Sequence, residues 1–145
     1  MKKNNSYILR FRKSDAGGSA IEFALIFPVA LVFLCGLLAY GLYLGAAHSV
    51  QQLAADAARA SVGGLNDAER VAIVHAHVTA SGANYPLLRP DRVSVAAQAL
   101  PADASQFEVK VSFNSEDLPI WLLADLVPLP PKTIERVAIV KRGGY

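Results

Sequence analysis

Three observations predict an α+β fold carried on a long N-terminal hydrophobic helix. An uncharged apolar run extends from Phe23 to Ala47, a helical stripe continues beyond it to Val62, and the hydrophobic period changes from helical to alternating at Arg92. The chain has 145 residues, 53% hydrophobic and 18% charged, where an ordinary soluble domain has close to half and about a quarter. The apolar excess is therefore concentrated in one segment, leaving room for one domain of roughly 100 residues beside it. With 14 Lys plus Arg against 12 Asp plus Glu, the net charge of +2 gives no case for a nucleic-acid partner. A single cysteine, Cys35, excludes an intramolecular disulfide framework and a Cys-rich zinc site.

The run from Phe23 to Ala47 exceeds the roughly 20 residues that a helix needs to cross a bilayer. Pro28, Gly36, Gly41 and Gly45 would weaken a soluble helix but are tolerated in a spanning one. Lys2, Lys3, Arg10, Arg12 and Lys13 precede the run against the single acid Asp15, so the N-terminus is expected inside and everything after His48 outside. A secretory signal cut after Ala47 fits less well, because its apolar region would exceed the usual 7 to 15 residues or so. Bulky Phe33 and Leu34 before Cys35 do not suit lipidation, leaving an inert thiol in the membrane. An uncleaved single-pass anchor accounts for the basic flank and the apolar run.

Glu22 stands out because it interrupts an apolar stretch that begins at Ala20. A carboxylate at the centre of a spanning helix costs about 2.5 to 3.5 kcal/mol, and less near an end. The segment Gly17-Gly18-Ser19-Ala20-Ile21-Glu22-Phe23 resembles the processing site of type IV prepilins, in particular the Flp and TadE-like group of tight-adherence pili. The resemblance implies cleavage by a prepilin peptidase after Gly17, which makes Gly18 the mature N-terminus and places Glu22 and Phe23 in the motif positions. It continues through Ser49-Val50-Gln51-Gln52-Leu53-Ala54-Ala55-Asp56-Ala57-Ala58-Arg59-Ala60, similar to the Gln- and Ala-rich helix that follows the membrane segment in TadE-like proteins. An α-amine freed on Gly18 would be neutralised by Glu22 of a neighbouring helix in a low-dielectric setting, which would fix axial register.

Beyond the span, Val50, Leu53, Ala54, Ala57 and Ser61 share one helical face, and Gly63-Gly64 ends the helix as a C-terminal cap. Asn66 and Glu69 have the spacing of a capping box opening a second helix, with Val71, Val74 and Val78 as its apolar stripe and Gly82 and Asn84 at its end. Val93, Val95 and Ala97 alternate with polar or small residues, as do Phe107, Val109, Val111 and Phe113. These are half-buried strands, joined by a turn at Pro101 to Ser105. Thr133 to Lys141 supplies a third strand, and either the second helix or the stem helix can cover the small antiparallel sheet.

His75 and His77 are two residues apart, about 200° of helical rotation, so on a helix they face opposite ways and do not make a metal pair. Trp121 lies in an apolar stretch before Pro128, Pro130 and Pro131, and reads either as part of a core-capping helical turn or as a protein-contact anchor. No GxSxG, phosphate-binding glycine loop, CxxC or HExxH occurs, so neither an enzyme nor a cofactor is expected.

The expected organisation is a basic leader at 1–17, a transmembrane and stem helix at 18–62 and an extracytoplasmic α+β head at 63–145. Five of the 14 basic residues and one of the 12 acids fall in residues 1–17, so the rest of the chain is slightly acidic. The resemblance implies a minor pseudopilin or pilus assembly protein in the bacterial inner membrane, with the membrane, a prepilin peptidase, other pilins and the assembly machinery as partners. The alternative is an unprocessed anchor whose outer domain binds another envelope protein.

Overall fold

The computed structural model describes residues 15–141. Residues 1–14, which carry most of the expected leader, lie outside the described residues. Helix α1 (Asp15–Ser61) is followed by α2 (Asp67–Ser81), then strands β1 (Val93–Leu100), β2 (Asp103–Asn114) and β3 (Thr133–Lys141). Short 3-10 turns cover Gly82–Asn84, Pro90–Arg92 and Pro119–Leu123. The chain divides into two compact units, with the boundary inside α1 between Leu38 and Ala39.

In the first unit α1 exposes apolar side chains on every side, among them Ile21, Leu25, Val29 and Phe33. This stretch belongs to a helix long and apolar enough to cross a membrane. Pro28 sits inside the helix without ending it.

The second unit is built around the rest of α1. Ala39, Tyr43, Ala46, Ala47, Val50, Leu53, Ala54, Ala57 and Ala58 are buried, and their spacing of three and four traces one helical face. Most of these residues are alanines, which leave space beside the helix for larger side chains of the sheet. Phe107, Val109 and Val111 of β2 are fully buried and Phe113 nearly so, in the same core. Each large side chain so buried contributes about 1.5 to 3 kcal/mol. The sheet is antiparallel in the order β1-β2-β3, which puts the most apolar strand in the centre. Its register pairs Val95 with Val111 and Ala97 with Val109 on one side, and Ala138 with Val109 and Ile134 with Phe113 on the other. Both candidate covers contribute, since α1 shares the core with the sheet and α2 packs along β1 through the face of Val74 and Val78.

The expected punctuation is present with two corrections. Asn66 caps α2 by accepting from the Glu69 amide at 2.9 Å, while the Glu69 carboxylate reaches the Leu65 amide at 2.8 Å, one residue before the cap. The end of α1 differs from the expected glycine cap. No described glycine has positive φ, and the helix closes through successive bonds from the amides of Val62, Gly63 and Gly64 to carbonyls three residues back. Gly64 is required for another reason: a Cβ there would lie 2.6 Å from Arg70 Cγ and 2.9 Å from its backbone nitrogen. Arg70 is buried, and its Nε donates to the Gly64 carbonyl at 3.0 Å. The hairpin turn is also tighter than expected, with Leu100 paired to Asp103 across a bulge, because Asp103 turns its carboxylate onto the amide and hydroxyl of Ser105.

Candidate functional site

Gly17 and Gly18 occupy the first turn of α1, which begins at Asp15. Two glycines within a helix lower its local stability by about 1 kcal/mol each relative to alanine. A Cβ on Gly18 would meet nothing within 4 Å. Glu22 lies within α1, one turn beyond Gly18. Its side chain is exposed between Ile21 and Phe23, each 65% exposed. A carboxylate on an apolar shaft is the one group there able to form an ion pair with a neighbouring helix. Phe23 stacks on Phe27, with ring centroids 5.3 Å apart, so the aromatic pair shares a helical face one turn apart.

The head carries the other residues singled out above. The turn Pro119–Leu123 buries Ile120 completely, and Trp121 is half-buried beside it. The Trp121 indole donates to the Ser115 carbonyl at 2.5 Å, and Lys132 Nζ lies 5.8 Å from the ring centroid. His75 lines a shallow groove with Val78, Thr79, Pro90 and Val93 between α2 and β1, whereas His77 lies on the side towards Asp56. The two histidines thus point apart, and no group of three candidate metal ligands occurs among the described residues.

Several contacts carried no signal in the linear pattern. The Tyr85 hydroxyl donates to Asp56 at 3.0 Å, joining the loop after α2 to α1, and Arg59 forms an ion pair with the same carboxylate. The Tyr85 bond, supported by Arg59 and His77, holds the Asp56 carboxyl below its ordinary range against the opposing effect of burial. Burial and the bond to Asp56 push the Tyr85 phenol up. Near the start of the second unit, the Tyr40 hydroxyl donates to the Pro128 carbonyl at 2.8 Å and that of Tyr43 to the Pro131 carbonyl at 3.1 Å. Tyrosines at the edge of an apolar run are a recognised interfacial signal, but their partners 88 positions away are not readable from sequence.

Residues 17–59 match the family model of TadE-like protein. The segment is TadE-like. It takes in Gly17, Gly18, Glu22 and Phe23, the apolar shaft and the alanine-rich face that forms the spine of the head. The TadE-like match points to a protein associated with the tight-adherence pilus, and the apolar helix within it fits a membrane protein. No curated protein and no solved structure matches the chain.

Proposed function

We propose that this chain is a minor pseudopilin or pilus assembly protein of a tight-adherence, Flp-type system, cut by a prepilin peptidase between Gly17 and Gly18. The observation that carries the proposal is the TadE-like segment beginning at Gly17, with Glu22 exposed on an otherwise apolar helix. The basic residues before the helix favour a cytoplasmic N-terminus and a periplasmic head in the inner membrane. Glu22 pairs with the Gly18 amine of a neighbouring subunit and fixes the axial register of packed helices. In lipid that pair is strong because neither charge has water to return to. The size of the head, far beyond the short major Flp subunits, favours a tip, priming or assembly-platform role rather than that of the fibre's repeating unit.

A second reading, an unprocessed anchor with a protein-binding head, is supported by the same basic flank and apolar helix, which a single-pass anchor also needs. The N-terminal sequence and intact mass of membrane-extracted protein, made with and without a prepilin peptidase, separate the two. A peptidase-dependent start at Gly18 supports the pseudopilin reading, and an intact chain supports the anchor. Given cleavage, Glu22→Leu should insert and be processed normally yet fail to enter the assembly. Normal incorporation of that variant would remove the register role.

A further inference from the structure

The segment from Leu118 to Pro131 divides its apolar side chains between two sides. Ile120 is buried, and Leu118, Trp121, Leu123 and Leu129 pack against the core. Leu122, Leu126 and Val127 instead face outward, at 84%, 64% and 39% exposure. Three exposed apolar side chains thus fall within six positions of one loop.

The tether of this loop indicates what that surface is. Pro128 and Pro131 accept the hydroxyls of Tyr40 and Tyr43, residues that lie within the uncharged run of α1 near its outer end. Val127 and Leu126 precede Pro128 by one and two positions, so their Cα atoms lie within about 7 Å of that of Pro128. Loop and tyrosines therefore share one level of the molecule, near the outer end of the uncharged run, which on the membrane reading of α1 is the interfacial zone. Tyr40, Tyr43 and Trp121 are the aromatic types that occupy this zone, and Lys132 lies over the Trp121 ring. The charges along the segment do not form a basic patch: Glu116 and Asp117 are paired with Arg89, Arg92 and Lys132, and Asp125 is exposed.

We infer that Leu122, Leu126 and Val127 dip into the lipid interface, making the loop a shallow membrane contact of the head. This rests on the membrane reading of α1. Apolar burial drives the contact, so zwitterionic lipid suffices and added salt leaves it unchanged.

Trp121 and Cys35 are the only tryptophan and the only cysteine, so each serves as a reporter in the full chain without engineering. The protein is reconstituted in phosphatidylcholine vesicles brominated either near the headgroup end of the acyl chain or near its tip. Shallow bromines should quench Trp121 more than deep ones, and Leu122→Ser with Leu126→Ser should remove most of that quenching while leaving the circular dichroism unchanged. Absent quenching of Trp121, or equal quenching in the double variant, would overturn the inference. A spin label on Cys35 tests the underlying membrane reading separately, because it should be accessible to oxygen and shielded from aqueous nickel. Lipid exposure at Cys35 with an unquenched Trp121 defeats the loop contact alone, and an aqueous Cys35 defeats the membrane reading. Crosslinking through Leu126→Cys between two chains, with Trp121 unquenched, would assign the patch to a second copy instead.

Discussion

The two parts of α1 are one continuous helix and differ in what surrounds them. Up to Leu38 the helix presents bulky apolar side chains on all sides, Phe33 at 74% exposure and Val29 and Leu25 at 70% each. From Ala39 onward one face turns to alanine and is buried under the sheet, while Gln51, Gln52 and Arg59 occupy the exposed face. Helical conformation is thus indifferent to the two settings, and side-chain size and polarity around the cylinder decide between a lipid-facing shaft and the spine of a protein core. The small residues of the spine also make the head sensitive to added volume in a way that the shaft is not.

The sharpest way to break that comparison is to empty the core. Phe107→Ala should destabilise the head by about 3 to 5 kcal/mol, read as a drop in the melting temperature of detergent-solubilised protein, whereas Phe33→Ala should stay within about 0.5 kcal/mol. Comparable losses for both would mean that the shaft is packed against protein even in the isolated chain.

Filling the spine is the complementary test. Ala54 is fully buried, and Ala54→Leu should cost about 1 to 3 kcal/mol by overpacking, while Ala30→Leu on the exposed shaft should be neutral in the same thermal measurement.

A related effect of similar or smaller size is expected where α1 ends. Gly64→Ala would force Arg70 aside, because both its side chain and its backbone stand in the way, and should cost about 1 to 2 kcal/mol. Gly18→Ala meets nothing and should leave head stability unchanged.

The smallest expected effect belongs to the contact between Asp56 and Tyr85. Tyr85→Phe should cost about 0.5 to 1.5 kcal/mol at neutral pH. The Asp56 carboxyl is depressed in the folded state, so its contribution is present above the ordinary carboxylate range and is lost as pH falls through the lower folded value. The phenol of Tyr85 is raised, so its share is present below the ordinary phenol range and is lost as pH rises through the higher folded value. In chemical denaturation across pH, the difference between wild type and Tyr85→Phe should shrink at both extremes. A difference that is constant with pH would mean that the hydroxyl contributes through packing alone.

What could be read from the sequence was local in origin. The uncharged run, the helical stripe from Val50 to Ser61, the capping of α2 by Asn66 and the bounds of β3 at Thr133 and Lys141 follow from side-chain period and from hydrogen bonds between near neighbours. The residues of the candidate site, Gly17, Gly18, Glu22 and Phe23, form a short local motif that falls within the TadE-like match, while their roles rest on the proposed function.

Only the tertiary structure decided that α1 is the spine of the head, and that α2 lies along β1. It also put Arg136 of edge strand β3 opposite Val111, on the apolar face of the sheet, a position in which a charge discourages further strand pairing. The Trp121 loop shows the distinction most clearly. Its apolar composition was evident, but which of its side chains pack against the core and which stay outside depends on surfaces far away in sequence, including two tyrosines 88 positions off that hold its end. Period and capping energies are set within a few residues of one another, so they leave a mark in the sequence; contacts that close long loops depend on the shape of surfaces that exist only once the chain has folded.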